Sequence, residues 1–99
     1  MFDANMRHLP KDYEFFASCH GSKKGTNFTM GEVYLCKMLD TDNKNPSIEI
    51  TNDKGELVVM INNKHSYDKL FIYEGHKDGT DFINDKIKQK AMKLLEVIK

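Results

Sequence analysis

The sequence predicts a small α+β domain, in which a five-stranded antiparallel sheet, barrel-like or curled, precedes one amphipathic C-terminal helix. Between residues 12 and 74, apolar and polar residues alternate along several segments, and this period of two is that of a strand. Turn-forming residues separate these segments. Residues 80–98 carry instead an apolar stripe at helical spacing. These three observations together predict the fold class.

Length and charge limit the domain organisation and the function. A chain of 99 residues and 11.5 kDa has room for one hydrophobic core, so we expect a single domain. Lysine plus arginine number 15, and aspartate plus glutamate also number 15. The molecule as a whole therefore lacks the cationic field of non-specific nucleic-acid binders, and it is not acidic enough to imitate DNA.

The N-terminal part of the chain is predicted to form an arm followed by the first strand. Residues 1–10 have no sustained period and end at Pro10, which favours an arm or an irregular turn. From Tyr13 to His20 the residues alternate, and this segment is predicted to be the first strand. A polar, glycine-flanked loop over residues 21–27 follows it.

Four further strands are predicted from the middle of the chain. The run Glu32–Leu39 is apolar on both faces, as in a strongly bent strand. Ser47–Thr51 alternates, Asn52–Gly55 has the composition of a tight turn, and Glu56–Ile61 forms the return strand. Leu70–Tyr73 predicts a short fifth strand.

The helix is predicted to begin near Thr80, whose hydroxyl is suited to capping, with Asp81 placed favourably for the helix dipole. Spacings of four, four, three and four residues define its apolar stripe, which should pack on the sheet. The stripe consists of Ile83, Ile87, Ala91, Leu94 and Ile98, and Phe82 and Leu95 widen it.

The two cysteines predict a reducing environment. Cys19 and Cys36 lie in predicted strands and are interpreted as small, buried, reduced residues, with a disulfide as the alternative. No signal-peptide pattern precedes them. The longest apolar runs, such as Leu57–Ile61, fall far short of the roughly 20 residues that a membrane helix needs. We therefore expect a cytoplasmic protein without a membrane segment.

No catalytic, metal or cofactor site is predicted. Cys19, His20 and Cys36 are suitable zinc ligands by type, but adjacent residues of a strand point to opposite faces. The same divergence argues against a Cys–His nucleophile pair. Asp40 and Asp42 lie in a turn-rich loop, where aspartate usually accepts bonds from nearby backbone amides. The chain has no phosphate-binding glycine loop and no serine-centred elbow.

The stretch from Tyr13 to Met60 resembles short SH3-like barrel proteins of bacteriophages and bacteria. The matching residues are Cys19, the segment Phe28-Thr29-Met30-Gly31-Glu32-Val33-Tyr34 and the turn Asn52-Asp53-Lys54-Gly55-Glu56. The match covers about half of the chain and implies a small barrel. It also implies an accessory protein that acts on a host, and it carries over no catalytic residue. The N-terminal arm and the long C-terminal helix depart from the family pattern, so an open α+β sheet with a covering helix is the alternative to a barrel.

Aromatic side chains are the first candidates for binding a protein partner. Loops at one end of a small barrel often present aromatic residues to extended peptides. The candidates are Phe16, Tyr34, Tyr67 and Tyr73. The alternative for each is a place in the core. Apolar residues on the arm are a further candidate surface for docking onto another subunit, namely Met1, Phe2 and Met6.

Lysines supply a second candidate surface. Lys86, Lys90 and Lys93 follow helical spacing, and Lys23 and Lys24 lie on the first long loop. Their alternative is a solvated face that only maintains solubility, since Asp81, Asp85 and Glu96 dilute the charge.

The missing catalytic constellations favour a non-catalytic protein, and the resemblance implies a phage-type accessory protein in the host cytoplasm. It would bind a host protein and inhibit a host enzyme or defence system. A weak nucleic-acid binder that uses the lysine-bearing helix is the alternative.

Overall fold

The computed structural model of the protein describes residues 9–21, 27–40, 47–61 and 70–98. These residues form five strands and one helix in the predicted order. The elements are β1 (Glu14–Gly21), β2 (Val33–Asp40), β3 (Ser47–Thr51), β4 (Leu57–Ile61), β5 (Leu70–His76) and α1 (Asp85–Ile98). The α+β class, the five strands and the C-terminal helix are confirmed.

All strand pairings are antiparallel, and the sheet has the order β4-β3-β2-β1-β5. Consecutive strands pair from β1 to β4, whereas β5 returns to lie beside β1. Among the described residues, β4 and β5 are the two edges, so the recorded pairings do not close the sheet into a barrel. The predicted fifth strand ended at Tyr73, but β5 continues to His76.

Alternation along the strands divides the core between the two faces of the sheet. We call the larger side the inner face; it buries aromatic, aliphatic and sulfur-containing side chains. They include Phe15, Ala17, Cys19, Cys36, Met38, Ile48, Ile50 and Phe71, each at most 1% exposed. The other side, the helix face, buries Phe16 and Val33 against Ala91 of α1. Burial on both sides explains why β1 carries two consecutive phenylalanines.

The β3–β4 hairpin was predicted from its turn residues, and the structure shows how the turn is held. Asn52 is buried, and its side-chain oxygen accepts hydrogen bonds from the backbone N–H groups of Lys54 and Glu56 at 3.0 and 2.9 Å. Gly55 has a φ of +78°, which favours glycine because it lacks a Cβ. The turn therefore satisfies its own polar groups and fixes the register of β3 against β4.

The predicted start of the helix was wrong. Thr80 donates through both its backbone N–H and its hydroxyl to Asp78 Oδ1, at 2.9 and 2.7 Å, so it belongs to a preceding turn. Asp81 has a left-handed φ of 68°, which a helix does not accommodate. Asn84 is the N-cap, because its side-chain oxygen accepts from the N–H groups of Lys86 and Ile87 at 3.0 and 3.3 Å.

The later start also changes the predicted stripe. Ile83 precedes the helix and is 98% exposed, so its assignment to the buried stripe was wrong. Ile87, Ala91, Leu94 and Leu95 do pack on the helix face. Phe82 also packs there, although from the segment before the helix. The side chain of Ile98 lies outside the described residues.

We expect Asn84→Ala to lower the free energy of unfolding by about 0.5–2 kcal/mol, because it removes the acceptor for two amides of the first helical turn. Urea unfolding followed by circular dichroism measures the change. Gln89→Ala, at an exposed position in the middle of the same helix, is the control. An equal loss in both variants would contradict the capping role.

Candidate partner-binding groove

A groove lies between the C-terminal half of α1 and the end of the sheet that carries the β3–β4 turn. Two cavities of about 310 and 340 Å³ adjoin each other there, and both are lined by Glu32, Val33 and Leu94. We call this surface the α1–hairpin groove. Its shared floor is apolar, since Val33 belongs to the helix-face core and Leu94 packs against it.

The two ends of the groove differ in chemistry. Lys90 and Lys93 line the smaller cavity, so that end is cationic. The larger cavity extends over Tyr34 and Asp53 to the β3–β4 turn. A further lining residue of that cavity is Thr51, which lies opposite the exposed Leu57 of β4. The groove thus offers an apolar floor with positive charge at one end and a carboxylate at the other.

A hydrogen-bonded clasp holds the carboxylate end in place. Tyr34 donates its hydroxyl to Asp53 Oδ1 at 2.7 Å, and the Thr29 hydroxyl donates to Asp53 Oδ2 at 2.8 Å. The backbone N–H of Thr29 in turn donates to the Tyr34 hydroxyl oxygen. Asp53 N–H donates to the Asn27 carbonyl at 2.9 Å. These bonds join the connection between β1 and β2 to the β3–β4 turn.

The clasp alters the acidity of Tyr34. Burial raises the pKa of its phenol from the ordinary value of 10.0 to about 12, and the neighbouring Asp53 carboxylate contributes in the same direction. The phenol is therefore a neutral hydrogen-bond donor over the whole physiological range of pH. It acts here as a structural group and not as a proton-transfer group.

This pKa predicts how stability depends on pH. Below pH 10 the Tyr34 phenol is protonated in both the folded and the unfolded chain. Between pH 10 and about 12 it ionises only in the unfolded chain, so stability should fall over that interval. Urea unfolding at successive pH values measures the slope. Tyr34→Phe should make the slope shallower without abolishing it, because burial also raises the pKa of Tyr73; an unchanged slope would contradict the assignment.

The structure separates the four aromatic candidates. Phe16 is fully buried on the helix face against Phe82, with ring centroids 6.2 Å apart, so it is a core residue rather than a contact for a partner. Tyr34 is only 4% exposed, and the clasp occupies its hydroxyl. Tyr73 is half-buried away from the groove, with its hydroxyl 3.1 Å from that of Tyr13. Tyr67 lies outside the described residues.

The lysine candidates divide between the groove and the outer surface of the helix. Lys90 and Lys93 line the groove, and Lys90 Nζ lies 3.7 Å from Glu32 Oε1. Such an exposed ion pair contributes little to stability, but it partly neutralises the cationic end. Lys86 is exposed in the first turns of α1. Lys23 and Lys24, together with the arm residues Met1, Phe2 and Met6, lie outside the described residues.

Sequence reasoning missed a polar cluster on β1 and β5. Ser18 Oγ donates to Glu74 Oε2 at 2.8 Å and lies 2.8 Å from His20 Nε2. Since the serine proton goes to Glu74, Nε2 of His20 must itself donate to Ser18 Oγ. The imidazole is therefore not positioned as a base toward this hydroxyl, and Ser18 is only 1% exposed. The spacing Ser-x-His on a strand could have indicated the shared face, but only strand pairing brings Glu74 close.

The cysteines occupy the inner face. Cys19 and Cys36 are both buried and form no disulfide, and burial raises the pKa of Cys36. His20, next to Cys19, is exposed, so the two side chains diverge as expected for a strand. Within residues 9–21, 27–40, 47–61 and 70–98, no three His, Cys, Asp or Glu side chains cluster as ligands of a metal ion.

No helix in the described part of the chain has the length and apolar character needed to cross a membrane. No protein-family model matches the chain, and neither the curated proteins nor the solved structures contain a match to it.

Proposed function

We propose that this chain is a non-catalytic protein-binding module that holds a partner segment in the α1–hairpin groove. The observation that carries the proposal is the pair of adjoining cavities with Val33 and Leu94 as their common floor. An apolar floor with a few polar groups around it is the usual composition of a binding site. A partner would place an apolar side chain on this floor and a carboxylate against Lys93.

The side chains around the groove are held in place before a partner binds, which supports its role as a binding site. The clasp fixes Asp53 through both carboxylate oxygens. Leu94 lies on a helix whose neighbours Ala91 and Leu95 pack on the sheet. Side chains held in this way lose little conformational entropy when a partner arrives, which favours affinity.

We further propose that the partner is a protein of a bacterial host and that the module acts in the cytoplasm, perturbing a host enzyme or defence system. The resemblance of residues 13–60 to phage SH3-like proteins supports the host. Two buried cysteines that form no disulfide are in keeping with a reducing compartment.

We also propose that the sheet bends in the manner of an SH3-like barrel that remains open at β4. Its support is the inner face, where Phe15, Ile48 and Phe71 are fully buried although α1 packs on the opposite side of the sheet. A strongly bent sheet can bury its concave face without a second layer, even when its edge strands stay unpaired.

Affinity capture with the immobilised full-length chain tests the binding proposal. The bait is incubated with nuclease-treated host lysate, and bound proteins are quantified by mass spectrometry. We expect a defined protein partner whose recovery falls about tenfold with Lys93→Glu, the effect of losing one important contact. Lys86→Glu is the matched control, because it makes the same charge change on the same helix outside the groove.

The same variants also test the alternative of nucleic-acid binding. Phosphate contacts are additive and depend strongly on salt, so Lys86→Glu and Lys93→Glu should then weaken binding alike. The capture is therefore repeated with untreated lysate. A signal that appears only there, and that both variants reduce equally, would reject the protein-binding groove. Equal recovery of a protein partner by Lys93→Glu and by the unmodified chain would also reject it.

A further inference from the structure

Strand β4 is an edge of the sheet without the usual protective features. Its five residues are Leu-Val-Val-Met-Ile, with no charge and no proline, and its register with β3 has no bulge. Leu57 is 66% exposed and Val59 is 58% exposed. Natural edge strands commonly carry a lysine, a proline or a bulge that prevents another strand from pairing. In the described part of the chain, no strand pairs with the outer side of β4.

The hydrogen bonding of the hairpin shows which backbone groups of β4 point outward. Asn52 N–H donates to the Glu56 carbonyl at 2.9 Å across the turn. Bonded and non-bonded pairs alternate along an antiparallel ladder, so Val58 and Met60 are the next residues bonded to β3. The N–H and C=O groups of Leu57, Val59 and Ile61 are therefore directed away from β3.

This pattern is complementary to itself. Val59 is the central residue of β4. If the β4 strands of two copies of the chain pair antiparallel about this residue, Leu57 of one copy lies opposite Ile61 of the other, and the two Val59 residues lie opposite each other. All three aligned pairs present outward-directed N–H and C=O groups, so each of them can form two backbone hydrogen bonds. Val59 would meet Val59 of the second copy on the same face, and no like charges would be opposed along the strand.

We infer that two copies of this chain associate through β4, forming one continuous ten-stranded sheet about a two-fold axis at Val59. The occupant of the edge is a second copy because the outward amides and the apolar side chains are both symmetric about that residue. This surface is separate from the cationic end of the α1–hairpin groove, so the inference does not depend on the proposed function.

Sedimentation equilibrium of the full-length chain over a range of concentrations tests the association. We expect the mass to rise from 11.5 kDa toward twice that value. Val59→Lys should keep the chain monomeric, because the two-fold axis places the two introduced lysines opposite each other. Ile83→Lys, which changes another exposed aliphatic residue away from β4, should associate like the unmodified chain.

Charge complementation and hydrogen exchange make the test specific for β4. A mixture of Val59→Lys and Val59→Glu should associate although each variant alone does not. In the unmodified chain, rising concentration should slow exchange at the amides of Leu57, Val59 and Ile61. Val58 and Met60 should be protected at every concentration. A monomer at all concentrations would overturn the inference, and so would a dimer whose Val59→Lys variant still associates.

Discussion

Replacing Phe71 with alanine is expected to lower the free energy of unfolding by about 3–5 kcal/mol, the usual cost of truncating a buried phenylalanine. Phe71 is fully buried on β5, and its ring lies edge-on to two others. The centroid of Phe28 is 5.3 Å away and that of Tyr34 is 6.4 Å away. Alanine would remove both aromatic contacts and leave a cavity in the centre of the inner face.

Such a loss is large for this domain, since small proteins have a total stability of about 5–15 kcal/mol. Chemical denaturation followed by tyrosine fluorescence and circular dichroism measures it. Ile83→Ala is the matched control, because Ile83 is 98% exposed and should change stability by no more than about 0.5 kcal/mol. Similar losses in the two variants would show that Phe71 is not a central core residue.

Replacing Gly75 with alanine is expected to destabilise the fold by about 1–3 kcal/mol, as overpacking of a well-filled core does. A Cβ at Gly75 would lie 2.3 Å from Cδ2 of Phe82, and two other ring atoms would be almost as close. The ring of Phe82 lies on the backbone of β5 and packs on Phe16. The added methyl group would therefore displace the segment that leads into α1.

A double-mutant cycle distinguishes this steric clash from a general effect on β5. Phe82→Ala removes the obstructing ring, so Gly75→Ala should cost much less in that background than in the unmodified chain. Thermal or urea unfolding of the four proteins gives the coupling free energy. Additive losses would contradict the direct contact between residue 75 and the Phe82 ring.

Elements with a clear local pattern could be predicted from the sequence. The alternation of Ile48 and Ile50 was sufficient for β3, and the turn residues from Asn52 to Gly55 were sufficient for the hairpin. The beginning of α1 could not be predicted in this way, because Thr80 and Asn84 are both acceptable N-caps. Asn84 caps the helix because Asp78 holds Thr80 in a separate turn.

The candidate site was less predictable than the fold. Lys90, Lys93 and Tyr34 were identified from residue type and spacing, but nothing local indicates that β2 and α1 enclose a groove together. Val33 and Leu94 are distant in sequence and meet only when the helix packs on the sheet. Phe16 was interpreted as a contact residue because alternation does not reveal that both faces of β1 are covered.

The one-sided position of α1 has a consequence for stoichiometry. The helix packs on β2 and β5. Among the described residues, it makes no comparable contacts with β3 or β4. A two-fold axis through Val59 of paired β4 strands runs perpendicular to the sheet. Both helices of the pair, and both grooves, would then face the same direction. Such an assembly is bivalent toward a single surface, so a partner carrying two copies of the recognised segment would gain avidity without any additional contact.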